Sequence, residues 1–193
     1  MTSPAQEERR QAQEALAYIR QTMESASTFT AVSGWGLVAV GALGVLAAGL
    51  AWSTRVPADL RVWIPAAVLA VAVAGGSTAV KARRLEAPLW SGSLRKIVWV
   101  MSPALLSGAL LTYALLQANA AHLLPGTWLA LYGAGVSAGG VFSVRALRWM
   151  GLNFVVLGAV ALLGPATGLV LLALGFGGLH VAFGAYLARR HGG

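Results

Sequence analysis

The chain has no cysteine, and of its 193 residues only six are acidic and fourteen are Lys or Arg, so that charged residues make up 10%. Without cysteine there is no disulfide framework and no thiolate metal site. Soluble domains carry roughly 25% charge, so the shortage excludes an ordinary soluble fold. Disorder needs low hydrophobicity, and this chain is 58% hydrophobic. Its 24 glycines follow no strict period, which excludes a collagen-like chain. An all-α integral membrane protein is what these figures leave.

A bilayer core about 30 Å thick asks for roughly 20 mostly apolar residues per helix. Uncharged runs of that length lie between Phe29 and Trp52 and between Val62 and Val80, and 48 uncharged residues separate Lys96 from Arg145. That long run is divided by Gln117, Asn119, His122, Pro125 and Gly126. From Gly151 to Ala188 the chain is again uncharged, with a turn signature at Gly164-Pro165-Ala166-Thr167-Gly168. Six spans are predicted, at 30–52, 62–81, 97–117, 124–144, 149–164 and 167–188, behind a cytoplasmic segment 1–28. No cleavable signal peptide is expected, since the first apolar run follows about 28 polar residues.

The basic residues give an independent check, because cytoplasmic segments carry the excess of Lys and Arg. With the N-terminus inside, Arg9, Arg10, Arg20, Lys81, Arg83, Arg84, Arg95, Lys96, Arg145, Arg148, Arg189 and Arg190 all fall on the inner side, leaving only Arg55 and Arg61 outside. An even span count and cytoplasmic termini follow, with a bacterial inner membrane as the expected location. Trp52, Trp63 and Trp128 are expected at the outer interface and Trp90, Trp99 and Trp149 at the inner one.

Ahead of the first span, Ser3-Pro4-Ala5-Gln6 reads as a capping box, and Glu7 and Glu8 suit the positive end of a helix dipole. Ala12, Leu16, Ile19, Met23 and Ala26 then line one face of an amphipathic helix of about 22 residues. The stripe packs on the protein's own loops, or Leu16, Ile19 and Met23 dock a protein partner or a second copy. Its four glutamates argue against a helix lying on lipid.

The end of the second span, Ala74-Gly75-Gly76-Ser77-Thr78-Ala79-Val80-Lys81-Ala82-Arg83-Arg84, matches Ala138-Gly139-Gly140-Val141-Phe142-Ser143-Val144-Arg145-Ala146-Leu147-Arg148 at six positions. Such a match suggests three successive helical hairpins, although Ala, Gly and Val coincide easily in this composition. Small residues let membrane helices approach closely. Gly135 with Gly139, Gly44 with Ala48, Ala72 with Gly76, Ala104 with Gly108, and Gly175, Gly177, Gly178 and Gly184 are therefore expected to pack the bundle internally or to form a homo-oligomer surface. Pro65 and Pro103 are placed in the first turns of their helices.

No Asp, Glu, Lys or Arg lies in a span core, which disfavours ion-coupled transport and voltage sensing. The His-Glu-x-x-His pattern is absent, and no acidic residue is placed as a general base. His180, His122 and His191 occupy different depths, so neither a metal site nor a cofactor is expected. His180 reads as a neutral imidazole bonded to a neighbouring helix, or else as a ligand-binding residue in a cavity with Asn153 and Tyr132. The +8 charge does not imply nucleic acid, because the basic residues are spread over segments flanked by spans and suit the lipid bilayer. The functional expectation is a small polytopic protein without catalytic machinery, an accessory, assembly or sensing subunit with a cytoplasmic partner. The alternative is a small permease or channel for a neutral or amphiphilic solute, and a haem-binding or lipid-modifying enzyme comes third.

Overall fold

The computed structural model describes residues 4–26, 32–55, 59–86, 90, 92–164 and 167–191. The expected Ser3 cap, Pro57 and Pro165-Ala166 lie outside the described residues, as do the side chains of Met23 and His191. Among the described residues the elements are all helical: α1 Pro4–Ala26, α2 Gly34–Thr54, α3 Leu60–Arg84, α4 Gly92–Gln117, α5 Leu124–Gly139, α6 Arg145–Leu163, α7 Gly168–Leu172 and α8 His180–His191. A π-helical segment, Ala173–Leu179, joins α7 to α8, and single 3-10 turns at Ala121–Leu123 and Gly140–Phe142 flank α5.

Among the described residues five helices are long and apolar enough to cross a membrane: α2, α3, α4, α6 and the rod Gly168–Arg190. The remaining apolar helix, α5, has 16 residues. At 1.5 Å per residue it reaches about 24 Å, short of a full hydrocarbon core. Residues 124–144 were expected to form one span. Instead the α-helix ends at Gly139, and after the 3-10 turn Ser143 and Val144 are extended, with ψ −159 and 141. The chain reverses there at once, because α6 begins at Arg145 rather than near residue 149.

Local chemistry explains the other boundaries. The Ser33 side chain accepts from the Gly36 amide at 3.1 Å and opens α2, while Arg55 closes it in the left-handed region with φ 58. Asp59 opens α3, accepting from the Arg61 amide at 3.0 Å and pairing with its guanidinium at 3.1 Å. That guanidinium holds the Asp59 carboxyl below its ordinary pKa of 3.8. Because α4 starts at Gly92, Pro103 stands in mid-helix and not in the first turns. It cannot donate to the Trp99 carbonyl four residues back. The Ser102 hydroxyl takes that carbonyl instead, at 3.1 Å.

Glycines set the packing. α5 lies between α4 and α6, and α2 lies between α3 and α8. A Cβ on Gly133 would stand 2.6 Å from the Gly151 carbonyl, and one on Gly158 would stand 2.5 Å from the Ala130 nitrogen, so α5 and α6 touch backbone to backbone. The α2 and α8 seam repeats this, with Gly41 facing the Gly177 carbonyl at 2.8 Å and Gly184 facing the Val38 nitrogen at 2.7 Å. Gly135 and Gly139 face Met101 of α4, and Gly108 faces Trp128. Most of the small residues expected to pack internally do so. Ala72, Gly76 and Gly178 are the exceptions: Ala72 is exposed, and nothing lies within 4 Å of a Cβ built on either glycine, nor on the neighbouring Gly75. The third hairpin is loose: α6 packs chiefly on α5, and α8 on α2.

Contacts between helix ends carry the charge pattern into three dimensions. Lys81 of α3 donates to the Val32 carbonyl beside α2, Ala82 packs on Leu94 and Ile97 of α4, Gly139 meets Ile97, Gly140 meets Arg148, and Gly34 meets Ala188. Arg83, Arg84, Arg95, Lys96, Arg145, Arg148, Arg189 and Arg190 therefore gather at one end of the bundle, opposite Arg55 and Arg61. Trp52, Trp90, Trp99 and Trp149 are exposed as expected of interface anchors, whereas Trp63 packs on Phe176 at 6.1 Å and Trp128 donates to the Thr112 hydroxyl at 2.9 Å.

Candidate functional site

The buried polar centre of the protein is built where α5, α6 and the π-helical segment meet. Segment 173–179 holds Gly175, Gly177 and Gly178. Gly175 lies against Leu129 and Phe154, and Gly177 lies against Val45 of α2. The wide π-turn brings Phe176 and His180 into a stack, with ring centroids 6.2 Å apart and planes 16° from parallel. Tyr132 reaches this stack from α5 and Phe154 from α6. Tyr132 lies 4.9 Å from Phe154 and 5.1 Å from Phe176, and Phe154 lies 5.4 Å from His180. Offset and edge-on pairs of this kind suit the quadrupoles of aromatic rings.

His180 is 1% exposed. Its Nε2 lies 2.9 Å from the Tyr132 hydroxyl. In the Nδ1–H tautomer the hydroxyl donates to Nε2, and the Nδ1 proton faces the backbone of Gly175 and Phe176 without a hydrogen bond of good geometry to either. The pair ties α8 to α5 among the rings of Phe154 and Phe176. A separate groove of about 330 Å³ is lined by Val45, Ala48, Gly49 and Trp52 of α2 and by Leu169, Val170 and Ala173.

Of the three residues expected around a ligand cavity, the structure joins Tyr132 to His180 and separates Asn153. Asn153 faces outward on α6, its amide donating to the Trp149 carbonyl at 2.8 Å. His122 is exposed in the 3-10 turn before α5. Among the described residues no three of His, Asp and Glu come together as metal ligands. On α1, Leu16 and Ile19 are exposed at 66% and 52%, together with Tyr18. The helix touches the bundle through α4.

Sequence reasoning missed two parts of this arrangement. Phe154 and Phe176 enclose the His180–Tyr132 pair, and the cluster of glycines one turn before His180, with Phe176 at i−4, was the available signal for the π-turn. Lys81, grouped with the solvated inner charges, is buried with its ammonium 3.2 Å from the Val32 carbonyl. Nothing in its spacing sets it apart from Arg83 and Arg84. Compared with known proteins, the chain matches no family model, no curated protein and no solved structure.

Proposed function

We propose that the chain crosses a bacterial inner membrane six times with both termini in the cytoplasm, and that it serves without catalytic machinery as an accessory, assembly or sensing subunit. Its cytoplasmic partner docks on α1. The gathering of eight Arg and Lys residues at one end of the bundle supports this orientation. The short α5 crosses with its extending 3-10 turn because α4 and α6 cover it on both sides, so it need not match the lipid thickness alone.

One observation carries the functional reading: His180 is buried against Tyr132 and the surrounding rings, while Leu16 and Ile19 of α1 are exposed. Tyr132 and His180 spend their hydrogen bond on each other inside an aromatic shell. Leu16, Tyr18 and Ile19 stand exposed on a helix whose first half is held by the Arg10–Glu7 and Arg10–Glu14 pairs. Exposed apolar residues in water mark protein contact. The test is affinity purification of the full chain from native membranes beside a Leu16→Asp/Ile19→Asp variant. A protein that co-purifies with the parent and is lost with the variant, at equal membrane insertion, supports the reading. Identical partner sets in both samples would remove α1 as the docking element.

A further inference from the structure

The outward face of α6 repeats every seven residues. Trp149, Asn153, Val156, Val160 and Leu163 follow one another at intervals of four, three, four and three, and all five are exposed, Trp149 at 59%, Val156 at 61%, Val160 at 48% and Leu163 at 89%. This is the spacing of a seam between two helices that wind around each other. In heptad terms Asn153 and Val160 take the a positions and Trp149, Val156 and Leu163 the d positions. A β-branched residue at a, with one asparagine at another a position, is the pattern that selects two parallel strands in register.

Asn153 makes the seam specific. It stands five residues beyond Arg148, about 7.5 Å further along the helix, and so below the headgroup level that Arg148 and Trp149 mark. Its amide donates once, to the Trp149 carbonyl, which leaves a second N–H and the Oδ1 acceptor without a hydrogen bond among the described residues. Lipid tails cannot satisfy either group. A carboxamide both donates and accepts, so the same residue of a second copy, related by a twofold axis along the membrane normal, satisfies both. Two copies in one membrane share an orientation, which makes the helices parallel as the heptad pattern requires. The open face of α3 at Ala72, Gly75 and Gly76 has no such demand, because lipid covers glycine and alanine without leaving a polar group unmatched.

We propose that this protein is a homodimer in the membrane, joined along α6 with Asn153 of the two copies hydrogen-bonded across the axis. The chain has no cysteine, so single-cysteine variants can be cross-linked in native membranes without background. Val156→Cys and Val160→Cys should form disulfide dimers, whereas Leu162→Cys on the flank and Gly76→Cys on α3 should not. Asn153→Leu should weaken dimerisation roughly threefold to thirtyfold in a lipid dilution series, the range of hydrogen bonds between membrane helices, and Asn153→Gln should recover part of it. The thermal midpoint of the dissociated Asn153→Leu protein in detergent should equal that of the parent monomer, because Asn153 lies on the surface of the protomer. A parent chain that stays monomeric on lipid dilution, cross-links at Gly76→Cys in place of the α6 seam, or a dimer indifferent to Asn153→Leu would each overturn the proposal.

Discussion

Ala74–Arg84 and Ala138–Arg148 share six of eleven residues and live in opposite surroundings. The first is one unbroken stretch of α3, with Gly75 and Gly76 facing open space. The second ends α5 at Gly139, turns through Gly140–Phe142, and finishes as the first turn of α6. There a Cβ on Gly140 would stand 2.7 Å from the Arg148 nitrogen, and Lys96 of α4 lies 5.7 Å from the Phe142 ring. The eleven-residue match is therefore not a structural equivalence over its length. Phe142 and Ser143 replace Thr78 and Ala79, and the reversal into α6 leaves no room for the helix to continue. The same Gly-Gly pair is a close-packing device where α5 ends and a bare exposed surface on α3.

Substitution at the paired glycines is the strongest way to break this contrast. Gly140→Leu drives a side chain into the α6 backbone and should cost roughly 3 kcal/mol or more, or abolish the folded protein. Gly76→Leu should leave the thermal midpoint in detergent unchanged within about 0.5 kcal/mol. Equal losses at both positions would mean that α3 is packed as tightly as α5.

The next effect lies about two turns deeper. Extending the alignment back beyond the matched segments sets Tyr132 of α5 against Val68 of α3, which is 66% exposed. Tyr132→Phe strands the His180 Nε2 and should lower stability by about 1–3 kcal/mol, whereas Val68→Ala should be nearly silent by the same thermal measurement. A smaller effect of opposite sign is expected from Gly75→Ala. Its methyl meets nothing within 4 Å, so the gain in helix propensity, up to about 1 kcal/mol, should raise the midpoint. Gly139→Ala meets Ile97 at 3.2 Å and should not raise it.

The smallest effect separates the starts of the two helices. α3 is opened by the Asp59 carboxylate, while α5 has no side-chain cap and carries Pro125 in its first turn. Because Arg61 depresses the Asp59 pKa in the folded protein, the contribution is fully present above the ordinary value of 3.8 and is lost as pH falls through the lower folded value. Protection of the Arg61 amide against hydrogen exchange, relative to its intrinsic rate, should fall only below the ordinary value of 3.8 in the parent and should already be lost at neutral pH in Asp59→Ala. Amides at the start of α5 should not respond.

The apolar helices were legible because lipid demands long uncharged runs and the charges mark their ends. Their boundaries drifted where local chemistry overrode composition, as at Gly92, three residues before Arg95, and at Arg145, where basic residues enter the first turn of α6. The Tyr132–His180 bond was legible only as a preference of buried imidazole for a neighbouring helix, since nothing in one dimension says which helix lies beside which. The same limit hid the burial of Lys81 and the separation of Asn153 from the pair. Gly75-Gly76 and Gly139-Gly140 are indistinguishable by composition, and only the packing of α4 and α6 around one of them gives the two pairs different roles.

The central proposal is that the core around Tyr132 and His180 is closed to solutes and that the protein acts through its surfaces. Thiol accessibility tests it most directly in a chain that contains no cysteine. Leu129→Cys and Met150→Cys place single thiols in the cluster around Phe154, at positions 0% and 1% exposed, with His122→Cys as the accessible control. A membrane-impermeant thiol reagent should label the control in intact membranes and leave both core positions unlabelled until the protein is denatured. Labelling of Leu129→Cys or Met150→Cys in the native protein would reveal an aqueous path through the bundle and contradict the account.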